Sequence, residues 1–355
     1  MAKVFVGLSG GVDSAVAAAL LKEQGHDVTG VFIKIWQPEF IECTWREDRL
    51  DAMRVAAALG IPFREVDLSE QYKKEVVDTM LADYARGITP NPDVACNRVI
   101  KFGHFAKWAH ENGADYIATG HYARIAISED SNYRHLLRGA DMNKDQSYFL
   151  YRLTQDDLMH TVFPIGDLTK QDVRALAKKF GLPNAEKPDS QGICFLGDVS
   201  MEEFLGRFIL LEPGKVLDTT AKEIGKHQGA VLYTIGQRHG FSVRSLSRGE
   251  REHYVVAIDT RANTITVSPN RFDAAHKEVM LREMNWINPV ELPLTAEAQV
   301  RYREAPAPVT IGKKGDDVVV TFDSPHIAAR GQSLVLYLPA QAGDGERCLG
   351  GGIIC

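Results

Sequence analysis

Hydrophobic and polar positions follow two rhythms along this chain, and the change falls near residue 200. Before it, short apolar runs alternate with stretches at helical spacing. Lys3-Val4-Phe5-Val6 predicts a strand and Ala15 to Lys22 a helix. Val28 to Ile35 predicts a strand, and Trp45 to Leu59 a helix broken by Gly60-Ile61-Pro62. Phe63 to Val66 continues as strand, Tyr72 to Tyr84 and Ile100 to Glu111 as helices, and Tyr116 to Thr119 as strand. Repeated β-then-α units predict an α/β fold, a parallel sheet with helices on both faces and ligands at the carboxyl ends of the strands. Beyond residue 200 the runs shorten to Tyr254–Ile258, Thr264–Val267 and Val318–Phe322, between Gly, Pro and Asn turns. That texture predicts small antiparallel barrels, with boundaries near 200 and 270.

Composition narrows the class. With 355 residues, 45% hydrophobic and 25% charged, the chain reads as a soluble protein of two or three domains. No apolar run approaches the ~18 residues of a membrane span. The N-terminus runs straight into a strand, so the cytoplasm is expected and no membrane partner is. A net charge of −6 gives no support to a nucleic-acid partner, although a local basic face can coexist with it. The five cysteines (43, 96, 194, 348 and 355) lack CxxC spacing. This argues against a structural zinc or iron–sulfur centre, and no metal-ligand set is expected. A disulfide in a reducing compartment would be transient.

The loop Gly7-Leu8-Ser9-Gly10-Gly11-Val12-Asp13-Ser14 lies between the first strand and the first helix. That context suits a phosphate cradle of backbone N–H groups and a helix dipole, yet the Walker lysine is absent. Ser9, Gly10, Gly11 and Ser14 are candidates to hold a nucleotide's phosphates, or the segment is a plain tight turn. Asp13 either binds magnesium or caps the helix. Thr89-Pro90-Asn91-Pro92-Asp93-Val94-Ala95-Cys96-Asn97 reads as a rigid polar loop with Asp93 and Cys96 three apart. Its bland alternative is a cap for the next helix, and the local pattern leaves both open. Cys194, in Lys187-Pro188-Asp189-Ser190-Gln191-Gly192-Ile193-Cys194-Phe195-Leu196-Gly197, sits among glycines, either as a reactive thiol or as a buried one. Gly139 to Phe149 turns from polar to aromatic. Arg301-Tyr302-Arg303 suits stacking on a single-stranded loop, or forms a solvated edge strand. His121 and His239 have no ligand-spaced partner, and neither is read as a metal ligand.

SGGVDS resembles the signature of the ATP pyrophosphatases, which cleave between the α and β phosphates and leave AMP on the substrate. With TPNPDVACNRVIKF (89–102), ADYIATGHY (114–122), NKDQSYFLY (143–151), DSQGICFLG (189–197), RYRE (301–304) and CLGGGII (348–354), the chain closely resembles the bacterial tRNA-specific 2-thiouridylases. Departures are Gln191 where threonine is common and Ile33 where methionine is.

The resemblance implies a Rossmann-like PP-loop domain over 1–200, a central β-domain over 201–270 and a tRNA-clasping β-barrel over 271–355. It implies ATP on residues 7–14, Ile33 and Gly120, its pyrophosphate end on Ser9, Gly10, Gly11 and Ser14, with magnesium accompanying it. The implied substrate is the wobble uridine of tRNAs for Lys, Glu and Gln. Asn91 and Pro92 would border the base, and Asp93 would be its general base. Lys144, Asp145, Gln146, Arg301, Tyr302 and Gln332 would contact tRNA, with His121 close to base and nucleotide. Cys194 would carry persulfide sulfur from a donor protein or a cysteine desulfurase, and Cys96 would close a transient disulfide with it. The rival class is a synthetase that activates a small molecule for amination; it keeps SGGVDS but needs no thiol pair.

Overall fold

The computed structural model describes residues 1–40, 45–128, 133–189, 199–243, 252–315, 317–339 and 345–355. Strands of the first 200 residues are β1 (Lys3–Gly7), β2 (Asp27–Lys34), β3 (Phe63–Asp67), β4 (Tyr116–Ala118), β5 (Ala123–Ile127), β6 (Arg134–Arg138) and β7 (Thr161–Val162). Five of them form a sheet in the order β3-β2-β1-β4-β7, with every pair parallel. Side chains of β1 alternate between two cores. Val4 and Val6 pack with Val16, Val28 and Phe32, while Phe5 packs with Val31, Ile100, Phe105 and Ile117. Burial on both faces is what made the strand read as an unbroken apolar run. Strand order reverses between β1 and β4, so the crevice at their carboxyl ends is the switch point where such sheets bind ligands.

Two features depart from the sequence reading. The segment read as a loop around Asp93 and Cys96 is helical, running Pro92–Ala95, then a π-helical Cys96–Phe105, then Ala106–Glu111. Asn91 accepts a hydrogen bond from Val94 N at 3.2 Å, and Pro92 occupies the first turn. A proline there pre-sets the helical φ, so it starts the helix rather than stiffening a loop. Cys96 is therefore a buried helical residue, 4% exposed. The second departure is the β5–β6 hairpin, which leaves the parallel sheet and pairs through β6 with the barrel described below.

The central strands are β8 (Gly214–Leu217), β9 (Glu223–His227), β10 (Ser242–Val243), β11 (Tyr254–Asp259) and β12 (Thr264–Ser268), ordered β10-β9-β8-β12-β11. Pairings are antiparallel except β8 with β12, around a small core of Val216, Tyr233, Val255, Ile265 and Val267. The last strands are β13 (His276–Trp286), β14 (Leu294–Gln299), β15 (Ala307–Lys314), β16 (Asp317–His326), β17 (Ser333–Leu338) and β18 (Arg347–Ile354). They run β13-β16-β15-β14-β17-β18, and pairing of β13 with β18 closes a six-stranded barrel. Among the described residues, no helix is long and apolar enough to cross a membrane.

The three bodies meet at one loop. Thr89 Oγ1 lies 2.9 Å from Thr234 Oγ1 of the central region. Gln332, just before β17, donates to the carbonyls of Thr89 (2.8 Å) and Pro90 (3.1 Å). This loop leads directly into the Asp93–Cys96 helix. A second tie is Arg138 at the end of β6, buried with its guanidinium 3.8 Å from the Tyr337 ring centre. It pairs with Asp145 at 3.2 Å and with Glu346 at 2.6 Å. Removing Asp145 leaves the buried Arg138 with Glu346 as its remaining ion-pair partner and deprives Gly139 N and Ser147 N of their acceptor. Asp145→Ala should therefore destabilise the protein by about 3 kcal/mol. Thermal denaturation should show a lower midpoint, partly restored in Arg138→Met/Asp145→Leu. An unchanged midpoint in Asp145→Ala would refute this account of the tie.

Candidate active site

The phosphate loop is built by three constraints. Gly10 has φ +79°, a left-handed conformation, and the backbone carbonyl of Asp48 occupies the place of a Cβ. Asn184 Nδ2 donates to Gly10 O at 2.9 Å, holding the loop from the other side. The helix Val12–Glu23 starts at Gly11 with no side-chain cap, so its first-turn N–H groups are left for a ligand. Ser9 and Ser14 hydroxyls approach to 3.2 Å, and Ser14 Oγ also donates to Gly11 O. Uncapped N–H groups and paired hydroxyls fit a polyphosphate. Gly7 ends β1, and Leu8 N continues the sheet to Val31 O at 2.8 Å. Ile33 lies beside Gly7, its Cδ1 3.6 Å from where a Gly7 Cβ would stand.

Gly120 closes this crevice from β4. A Cβ on it would stand 2.6 Å from Ser14 N, so only a bare backbone lets the β4 end pack on the start of the helix. Two residues on, Tyr122 OH donates to Asp13 Oδ1 at 2.8 Å, and Lys170 Nζ reaches the same oxygen at 2.7 Å. Burial and the Asp13 carboxylate push the Tyr122 phenol far above its ordinary range. Lys170 also pairs with Asp189 at 2.8 Å, as do Lys144 (2.8 Å) and Arg174 (2.7 Å). These hydrogen-bonded cations overcome the opposing effect of burial and hold the Asp189 carboxyl far below its usual value. Asp13 is a hard oxygen donor at the mouth of the cradle, the type magnesium takes alongside substrate phosphates.

The helix Pro92–Glu111 carries the second half of the site. Asp93 is partly enclosed, and burial raises its carboxyl while the Lys101 charge partly offsets this. Cys96 lies one turn further on. His121, directly after Gly120, is buried with Nδ1 2.7 Å from Thr119 Oγ1 and Nε2 3.4 Å from Lys101 Nζ. Burial, then the Lys101 charge, hold its imidazole well below the usual range, so it is neutral at physiological pH. Gly120 and His121 thus bridge the phosphate loop to the Asp93–Cys96 helix.

The remaining expected residues fall into two groups. Arg301 is exposed, and Lys144 and Tyr302 are partly so. Arg301 donates to Ile235 O at 2.7 Å, and Tyr302 packs on Phe149 at 4.5 Å between ring centres. Asp145, Gln146 and Gln332 hold backbone instead. Asp145 accepts from Gly139 N and Ser147 N, Gln146 Oε1 accepts from Tyr122 N, and Gln332 holds Thr89 and Pro90. Cys194 and Cys43 lie outside the described residues. Cys348 is buried in β18, its thiol pushed up to about 12 by burial, and Cys355 is exposed. Lys170, Tyr122, Asn184 and Arg174 escaped the sequence reading. Their partners lie far off along the chain, or they sit within a helix of ordinary polar composition, so each alone carries no pattern.

A parallel sheet with an uncapped phosphate loop at its switch point, followed by two β-bodies, defines a nucleotide-binding enzyme class with appended barrels. Residues 2–198 match the family described as tRNA methyl transferase HUP domain. Residues 202–269 match its PRC-barrel domain, and 276–354 an aminomethyltransferase beta-barrel domain. The chain is 43% identical to the tRNA-specific 2-thiouridylase MnmA of Streptococcus sanguinis, over 99% of this chain and 95% of that protein. It is 44% identical to that of Lactococcus lactis subsp. cremoris, over 99% and 94%. The chain belongs to the tRNA-specific 2-thiouridylase family. Gly120→Ala should drive a methyl into the helix start and weaken ATP binding about tenfold or more in isothermal titration. An unchanged Kd would show that the β4 end does not shape the cradle.

Proposed function

We propose that this chain uses ATP to replace the C2 oxygen of the wobble uridine in tRNAs for Lys, Glu and Gln with sulfur. The observation that carries the reading is the bridge at Gly120–His121, which joins the phosphate loop to the helix of Asp93 and Cys96. Family membership supports tRNA thiolation through ATP cleavage, and the bridge supports chemistry in which a base is held between a nucleotide on one side and a thiol on the other. The work divides among 1–200 for catalysis, 201–270 as the central body and 271–355 for clasping tRNA.

The uridine C2 oxygen is a poor leaving group, and adenylation solves this. Asp93, raised by burial toward the range of a working base, takes the N3 proton. O2 bonds to the α-phosphorus, and pyrophosphate leaves with the bonding electrons. The first-turn N–H groups of Val12–Glu23 with Ser9 and Ser14 receive that charge. Magnesium, held by Asp13, would add Lewis-acid stabilisation at the phosphates. Asn91 and Pro92 border the base, which leaves the anticodon stack at a cost of a few kcal/mol.

Sulfur arrives as a persulfide on Cys194, loaded by a donor protein or a desulfurase. Its terminal sulfur, or hydrosulfide released from it, bonds to C2, and AMP departs with the C–O electrons. Cys96 attacks the Cys194 sulfur, forming Cys96–Cys194 and breaking the persulfide bond. This follows the bond to C2 when the persulfide itself attacks, and precedes it when hydrosulfide does, since it is the step that releases hydrosulfide. An external thiol reductant then restores both thiols. Lys144, Arg301 and Tyr302 meet the anticodon loop, while Asp145, Gln146 and Gln332 hold the backbone that presents them.

The test incubates protein, ATP, magnesium, a persulfide source and unmodified tRNA-Glu, and reads 2-thiouridine by nucleoside mass spectrometry. Wild type should form it, and Cys96→Ser and Cys194→Ser should each lose it by a factor of about 100 or more, as expected when a covalent participant is removed. Product at the wild-type rate in either variant would remove that cysteine from the mechanism. Pyrophosphate release without any thiolated product would favour the small-molecule synthetase class.

A further inference from the structure

Lys101 sits on the Asp93–Cys96 helix, and the chemistry above gives it no task. That helix begins as α and continues as π, which puts position 101 about two turns beyond 93 on the same side. Lys101 Nζ is 3.4 Å from His121 Nε2, and the opposite ring nitrogen is 2.7 Å from Thr119 Oγ1. An ammonium has only donors. Nε2 therefore accepts, the imidazole is neutral, and Nδ1–H donates to Thr119. The rings of Phe102 and Phe163 flank His121 at 5.9 and 6.0 Å, an apolar surround in which a fixed charge acts strongly.

The same ammonium acts on Asp93, and among the described residues it is the charge that does so. Elements packed on that turn bring charges that are engaged or exposed. Lys73 pairs with Asp78, Glu75 with His104, and Lys74 is exposed. Tyr148, on the neighbouring turn, is buried and donates to the carbonyl of Ser333 at 2.9 Å.

We propose that Lys101 is a positioning residue for the thiolation: anchored on His121 Nε2, its ammonium keeps the partly enclosed Asp93 ionised, ready to take the uridine N3 proton. The proton that moves goes from N3 to the Asp93 carboxylate. The assignment rests on Asp93 being the general base, and the experiment separates the two.

Burial raises the Asp93 carboxyl and Lys101 lowers it. Removing Lys101 therefore raises it further, and the acid limb of the rate must move to higher pH. The rate of tRNA-dependent pyrophosphate release is followed against pH in wild type, Lys101→Met, Lys101→Arg and Asp93→Asn. Lys101→Met should move the acid limb up by about one pH unit, and Lys101→Arg should move it back. Asp93→Asn should abolish it. A limb that stays in place in Lys101→Met, with only the rate reduced, overturns the role of Lys101. A limb that survives in Asp93→Asn overturns the Asp93 reading itself. If Lys101→Met proves too unstable to assay, Lys101→Gln carries the same comparison, and its thermal midpoint reports folding separately from the limb.

Discussion

The close approach of the β4 end to the start of the first helix is the constraint on which the rest of the site depends. Gly120 lets backbone meet backbone at Ser14, and this fixes β4 against the phosphate loop. Because His121 and Tyr122 follow in sequence, the same contact aims one side chain at Lys101 and the other at Asp13. One packed glycine thereby sets the distance between the nucleotide cradle and the helix that carries Asp93 and Cys96. The reaction proposed above, with transfer between two bound substrates, requires such a fixed distance.

A second dependence runs through Thr89. The residue has partners in the central body and, through Gln332 and Arg330, in the barrel, and it lies just before the capped start of the Asp93–Cys96 helix. Arg138 ties β6 to the barrel at Tyr337 and Glu346. Tyr148, Tyr151 and Gln155 add further hydrogen bonds to the barrel, so it is joined to the first 200 residues along a broad seam. The Thr89 contact lies immediately ahead of the candidate base. From the barrel to Asp93 the path is short: hydrogen bonds to Thr89 and Pro90, then a few residues of chain.

Much of this was legible in the sequence where burial leaves a pattern. β1, β2 and the helix Trp45–Leu59 were found nearly to the residue, because strands buried on both faces and amphipathic helices carry strong periodicity. The turn between β1 and the first helix was legible because Gly10, at φ +79°, takes a left-handed conformation that favours glycine. The Asp93–Cys96 segment was misread because Pro90 and Pro92 look like loop residues, while Asn91 and Pro92 in fact build a helix start. The β5–β6 hairpin was missed because its partner, β18, lies about 200 residues away, and local propensity does not encode such pairings. The cluster of Lys170, Arg174 and Lys144 around Asp189 was invisible for the same reason: each cation alone resembles ordinary surface.

The central claim is that the uridine C2 oxygen attacks the α-phosphate, and the fate of that oxygen tests it most directly. Unmodified tRNA carrying 18O at C2 of the wobble uridine would be converted by the wild-type protein, and the AMP released would be weighed by mass spectrometry. The account predicts one 18O atom in the AMP phosphate for each 2-thiouridine formed. Unlabelled AMP alongside 2-thiouridine would contradict it, because sulfur would then have entered without adenylation of the base.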